Sequence, residues 1–137
     1  MKVIVCVDEK NGMLFNSRRQ SRDSKVIEHI LEIVGEKRLN ITNFSANLFG
    51  NLDVNIVENS LENIAEDEYV FVENIDLNNV IEKINEIIIF NWNRHYPADF
   101  YLDIPMQNFY VTRESEFVGS SHDKITEIVY ERKIDNE

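Results

Sequence analysis

Lys2-Val3-Ile4-Val5-Cys6-Val7, running into Asp8-Glu9-Lys10-Asn11-Gly12, is the stretch that decides the fold. An unbroken apolar run rich in β-branched residues leaves neither face polar, which predicts a strand covered on both sides in the middle of a sheet. The acids and the Asn-Gly pair that follow predict a turn. A polar loop then continues through Asn16-Ser17-Arg18-Arg19-Gln20-Ser21-Arg22. Asp23 or Ser24 reads as a helix cap, ahead of Val26, Ile27, Ile30, Leu31 and Val34 at helical spacing, with Gly35 as the stop.

Working outward, the same vocabulary recurs. Arg38 to Thr42 predicts a second strand, followed by a short helical or irregular piece to Phe49 and a turn at Gly50-Asn51. Val54 to Val57 predicts a short third strand, and Ser60 to Glu66 a brief helix with Leu61, Ile64 and Ala65 inward. Tyr69-Val70-Phe71-Val72 is another buried-type strand; Asp76 caps a helix carrying Leu77, Val80, Ile81 and Ile84. Ile87 to Trp92 has very high β-propensity. Asn108 to Val118 and Lys124 to Lys133 flank Gly119-Ser120-Ser121 and predict a C-terminal hairpin. Strands alternating with helices and closed by a hairpin make an α/β domain, its sheet mostly parallel with an antiparallel edge. With no internal repeat and no low-complexity linker, one continuous domain over residues 1–137 is expected.

Composition narrows the function classes. Hydrophobic residues make up 43% of the 137 and charged residues 28%, the balance of a soluble domain with order expected everywhere but the tail from Ile134. Cys6 is the only cysteine, so no intramolecular disulfide can form; its apolar setting predicts a structural thiol. A lone cysteine and no apolar leader lead us to expect a reducing, cytoplasmic setting. The longest apolar stretches, such as Ile87-Ile88-Ile89-Phe90, fall far short of the ~20 residues of a membrane span. The formal net charge is −11, from 25 acids and 14 bases, which opposes nonspecific nucleic-acid binding. The distribution is sharper than the sum. From Leu39 to Glu82 there is no Lys or Arg, while Asp53, Glu58, Glu62, Glu66, Asp67, Glu68, Glu73, Asp76 and Glu82 are acidic.

The order of these elements resembles dihydrofolate reductase. The opening strand, the turn ending at Gly12, and the loop leading to Asp23 at a helix start match that family's beginning. Val80 to Ile89 resembles its helix running into a strand, Pro97-Ala98-Asp99-Phe100-Tyr101 its acid-then-aromatic loop, and Ile125 to Arg132 its terminal strand with a Glu131-Arg132 pair. The resemblance implies a reductase-like fold, and for Asp23 a carboxyl that supplies or relays a proton to a bound pterin. Such work needs a carboxyl pKa that burial has moved toward working pH. A plain helix cap is the simpler reading of the same residue.

Departures from the family bear on function. Where the family carries a Gly-Arg pair for cofactor phosphate, this chain has Thr42-Asn43. Where the family carries Gly-Gly beside the pyrophosphate, it has Glu73-Asn74. No arginine lies between Phe49 and Val57 to meet a folate carboxylate. Each lost charge-assisted contact costs roughly 1.5–3 kcal/mol, so two weaken binding more than about a hundredfold. NADPH binding in the family's manner is not expected, and no cofactor is assigned.

Three other constellations carry chemistry. Arg18, Arg19 and Arg22, in a loop that covers the active cleft in the family, fit a phosphate or carboxylate; solvated residues or ion pairs with the acidic middle segment are the alternative. Trp92-Asn93-Arg94-His95-Tyr96-Pro97 offers Arg94 and His95 to a planar ligand, against a strand end with Trp92 packed and the polar residues wet. His122-Asp123 reads as a polar turn tip and His29 as the solvent side of its helix. The three histidines and one cysteine show no metal-ligand spacing, and no P-loop, nucleophile elbow or GxGxxG is present.

The leading expectation is a reductase-like domain without NADPH-dependent catalysis that binds a small anion or a protein partner. An active pterin or heterocycle reductase using Asp23, and a metal-independent RNA-binding or ribonuclease-type protein using the Arg18–Arg22 loop, are the alternatives. The sequence leaves open whether the domain is an enzyme.

Overall fold

The computed structural model describes residues 1–58 and 60–134. The tail expected to be loose lies, beyond an exposed Ile134, outside the described residues. In chain order the elements are β1 (Lys2–Val7), β2 (Gly12–Phe15), β3 (Arg18–Arg19), α1 (Ser24–Val34) and β4 (Leu39–Ile41). A 3-10 turn at Asn43–Ser45 then leads into α2 (Ala46–Phe49), followed by β5 (Asn55–Ile56), β6 (Tyr69–Phe71) and a 3-10 segment at Leu77–Lys83. The chain closes with β7 (Glu86–Asn91), β8 (Phe100–Tyr101), a 3-10 turn at Met106–Asn108, β9 (Phe109–Phe117) and β10 (Ile125–Arg132).

A seven-stranded sheet runs in the order β5-β4-β6-β1-β7-β10-β9. β1 is parallel to both β6 and β7, and β4 is parallel to β6 and β5. β10 is antiparallel to β7 and to β9, with a bulge between Val129 and Tyr130. The mostly parallel sheet with an antiparallel hairpin is the predicted architecture, and β1 holds its centre.

The apolar run of β1 explains that place. Val3, Val5 and Val7 point to one face with Val70, Val72, Leu77, Ile84, Ile87 and Ile89. Ile4 points to the other with Ile88, Phe90, Phe71 and the α1 residues Val26, Ile30 and Val34. A strand with apolar side chains on both faces stabilises only where both are covered, at ~1.5–3 kcal/mol for each such side chain buried. α1 covers the second face because its buried residues recur at intervals of four.

Two predicted elements differ. Residues 60–66 form turns rather than a helix: Leu61 is buried, Ile64 is half-buried and Ala65 is exposed. One anchoring side chain among acids does not offset the cost of nucleating a short helix. The helix expected after Asp76 is a 3-10 segment kinked at Val80, although Leu77, Val80 and Ile84 are buried as predicted.

The polar loop is partly a hairpin. β2 pairs with β3 through Leu14–Arg19 and Phe15–Arg18, and β8 adds on the other side of β2 to make a second, three-stranded sheet. Asn16 and Ser17 between them have φ of 52° and 62°, the positive values a tight two-residue hairpin turn demands.

Candidate functional site

A narrow cleft opens at the C-terminal ends of β1, β6 and β7, between those strands, α1 and the arginine loop. Its walls include Cys6, Met13, Phe71 and Trp92 below, and Arg19, Ser21, Arg22 and Asp23 above. Its free volume is about 20 Å³, room for about one water, against ~300–1,000 Å³ for most small-molecule sites. An open groove of about 510 Å³ adjoins it, sharing Arg22, Asp23, Ile27 and Leu48 and extending over Leu31, Leu52, Ser120 and Ser121.

An ion pair narrows the cleft. Glu73, two residues past the end of β6 and 7% exposed, receives Arg19 Nε at 2.8 Å and Nη2 at 2.9 Å, a bidentate arrangement. Ser45 Oγ donates to the same carboxylate at 2.6 Å, and Arg19 also reaches the Phe44 carbonyl at 3.0 Å and covers its ring. For Arg19, pairing with the acidic middle segment is what the structure realises. Arg18 and Arg22 are exposed, and neither makes an ion pair among the described residues. Cys6 is half-buried beside this cluster; burial, then the charges of Glu73 and Asp23, push its thiol well up, so it stays protonated.

Asp23 is the most heavily bonded side chain of the site. It is the N-cap of α1, its Oδ1 accepting from the Lys25 amide at 2.9 Å. Oδ1 also accepts from the Ser120 amide at 2.8 Å and Ser120 Oγ at 3.0 Å. Oδ2 accepts from the Ser121 amide at 2.8 Å, Ser121 Oγ at 3.2 Å and His122 Nδ1 at 2.8 Å. Burial alone raises the carboxyl pKa, but the bonds from His122, Ser120, Ser121 and Lys25 outweigh it and hold the group far below the usual aspartate range. This is the opposite of the upward shift a proton donor needs.

His122 is the functional residue that sequence reasoning missed. Read as a wet turn tip, it is 5% exposed. Its ring stacks on Trp92 at 4.5 Å, and Nε2 meets Ser21 Oγ at 2.9 Å and Tyr96 Oη at 3.3 Å. Asp23 accepts from the turn's amides and draws His122 into burial, while Ser120 and Ser121 stay exposed. The only signal was the Gly-Ser-Ser-His composition of the turn, whose amides and hydroxyls suit a carboxylate. His29 is likewise half-buried: its ring stacks on Phe117 at 3.7 Å and faces Glu127 at 3.3 Å. Trp92 is packed while Arg94 and His95 are exposed, Arg94 lying 3.9 Å from Asp123.

Asp8, also unflagged in the sequence, ties the turn after β1 to this site. It is buried and accepts from the amides of Gly12 (2.7 Å), Lys10 (2.9 Å) and Tyr96 (3.2 Å) and from Gln20 Nε2 (3.1 Å). Burial raises its pKa, yet these donors bring it below the ordinary value.

The hairpin turn meets Asp23 too closely for any side chain at Gly119. A Cβ there would overlap the Asp23 carboxylate and lie 2.8 Å from Ile125 Cδ1. Gly119→Ala is therefore expected to cost about 1–3 kcal/mol in chemical denaturation, the range for overpacking.

A mostly parallel sheet with β1 central, a helix starting at an acidic cap above the strand ends, and an antiparallel C-terminal hairpin define the dihydrofolate reductase fold. A dihydrofolate reductase from Enterococcus faecalis, solved complexed with NADP(H) and RAB-propyl, matches with a TM-score of 0.69 over 98% of this chain and 97% of that one, at 10% sequence identity. No protein-family profile matches the sequence, and no curated protein matches it. The shared property is the fold. Among the described residues no helix is long and apolar enough to cross a membrane, and no group of three His, Cys, Asp or Glu side chains is placed to hold a metal ion.

Proposed function

We propose that this reductase-fold domain binds a small anionic ligand at the arginine loop and does not carry NADPH in the reductase manner. The observation behind this reading is the Arg19–Glu73 pair: a guanidinium in the cleft already holds a carboxylate bidentately, the geometry an incoming carboxylate or phosphate would use. Arg22, exposed on the rim shared by the cleft and the outer groove, adds a second cation. Glu73 stands where the resemblance expects glycine beside a pyrophosphate, and its charge repels one. The cleft's small volume points the same way.

An active reductase using Asp23 has that residue's place in the cleft wall in its favour. An ionised carboxylate with six donors around it is a poor proton donor. For RNA, the exposed Arg18, Arg22, Arg94 and His95 work against a net charge of −11.

A thermal-shift series with phosphate, acetate, NADPH, folate and a short RNA tests the reading. A ligand at a hundred times its dissociation constant stabilises by ~2.7 kcal/mol. The expected result is a response to phosphate or acetate that Arg22→Ala weakens and Glu73→Gln, by releasing Arg19, strengthens. Stabilisation by NADPH, or by RNA alone, would overturn it.

A further inference from the structure

Ser21, His122 and Asp23 stand in the relation of a nucleophile, its base and the group that orients the base. We propose that they form a serine-nucleophile triad able to hydrolyse small acyl esters, an activity that shares the cleft and Arg22 with the anion-binding reading but does not rest on it. Asp23 Oδ2 accepts from His122 Nδ1 at 2.8 Å, and His122 Nε2 lies 2.9 Å from Ser21 Oγ. Two segments supply them: Ser21 and Asp23 stand two residues apart at the start of α1, and His122 lies 101 and 99 positions away on the hairpin turn.

The tautomer follows from the carboxylate. An ionised Asp23 only accepts, so Nδ1 carries the proton and Nε2 presents a lone pair to the Ser21 hydroxyl. Trp92, stacked on the ring with the planes 21° apart, restricts its rotation. Burial of Asp23 beneath the amides of Ser120 and Ser121 fixes the carboxylate in turn. These are the roles by which such triads are recognised on unrelated folds.

Ser21 differs from its partners in access. His122 and Asp23 side chains are 3% and 0% exposed, whereas Ser21 is half-buried and lines the cleft. A polar contact serving only to pin the hairpin turn has no need of a hydroxyl in the cleft wall. Cys6, the other nucleophile there, is kept protonated and is no competitor.

Ser21 Oγ bonds to the acyl carbon while its proton passes to His122 Nε2, and the acyl oxygen takes the negative charge. Arg22, on the same wall and outside any ion pair among the described residues, is the cation available to that oxygen. Collapse breaks the ester C–O bond, the alcohol leaving with the proton from Nε2. Water, deprotonated by His122, then releases the carboxylic acid and restores Ser21. The adjoining groove of about 510 Å³, which shares Arg22 and Asp23 with the cleft, is the space open to the ester.

A fluorophosphonate probe, with the modified peptide found by mass spectrometry, tests this alongside p-nitrophenyl acetate hydrolysis. The expected result is one adduct on Ser21, none in Ser21→Ala, and labelling slowed about a hundredfold or more in His122→Gln. Circular dichroism on each variant separates lost reactivity from lost fold. Ser21→Ala, at a half-buried position, is the variant that keeps the test decisive should His122→Gln unfold. No adduct on folded wild-type protein, an adduct on Ser120 or Ser121 instead, or labelling indifferent to His122→Gln in a folded variant would each overturn the triad.

Discussion

Asp23→Ala is expected to lower the unfolding free energy by about 3–5 kcal/mol, because each donor left without its acceptor costs roughly 1–3 kcal/mol. The carboxylate is wholly buried and gathers the start of α1, the turn between β9 and β10, and His122. Its removal leaves the amides of Lys25, Ser120 and Ser121 and the imidazole without their acceptor. Urea denaturation at neutral pH measures the loss. Asp23→Asn should lose less, because the amide oxygen still accepts from part of the set.

The same residue sets a pH dependence whose sign follows from its lowered pKa. A carboxyl bound more weakly by protons in the folded state contributes stability in full above the unfolded pKa of about 3.9. Below that value the unfolded chain takes up a proton that the folded chain refuses, and stability falls steadily as pH drops toward the native pKa. Asp8, shifted in the same direction, adds to the slope. A wild-type denaturation series from pH 6 to pH 2 should show this decline, and Asp23→Ala should show a shallower one. Equal slopes in the two proteins would refute the assignment.

Breaking the Arg19–Glu73 pair from one side should cost a comparable amount. Arg19→Met leaves a carboxylate of 9% exposure with only Ser45, and Glu73→Met leaves a guanidinium of 18% exposure with only the Phe44 carbonyl. Each is expected to lose about 3–5 kcal/mol. The double variant should recover most of that, since two thioether side chains fill the space without an orphaned charge. A double-mutant cycle by denaturation checks it: additive losses would mean that the two residues do not act as a pair.

Local pattern made much of the fold legible. The two-faced apolarity of Lys2–Val7 predicted the central strand, the spacing of Val26, Ile30 and Val34 predicted α1, and the Gly119-Ser120-Ser121 turn predicted the closing hairpin. The pairing of β2 with β3 has only a weak signal in the chain, because Asn16 accepts a positive φ readily whereas Ser17 stands where such turns favour glycine. The helix expected at residues 60–66 failed for want of a second buried anchor, something that apolar residues counted along the chain do not disclose. Asp23 was legible as a cap, and the arginine loop as a place of interest.

By itself the sequence determined which segments must be covered on two faces and where the first helix starts. Those are properties of neighbours in the chain, and periodicity records them. Only the tertiary structure decided that Arg19 meets Glu73 and that His122 lies between Asp23 and Ser21. These pairings join residues 54, 99 and 101 positions apart. Their energy comes from excluding water around charges that meet only once the strands have stacked, and no local repeat in the chain encodes that meeting.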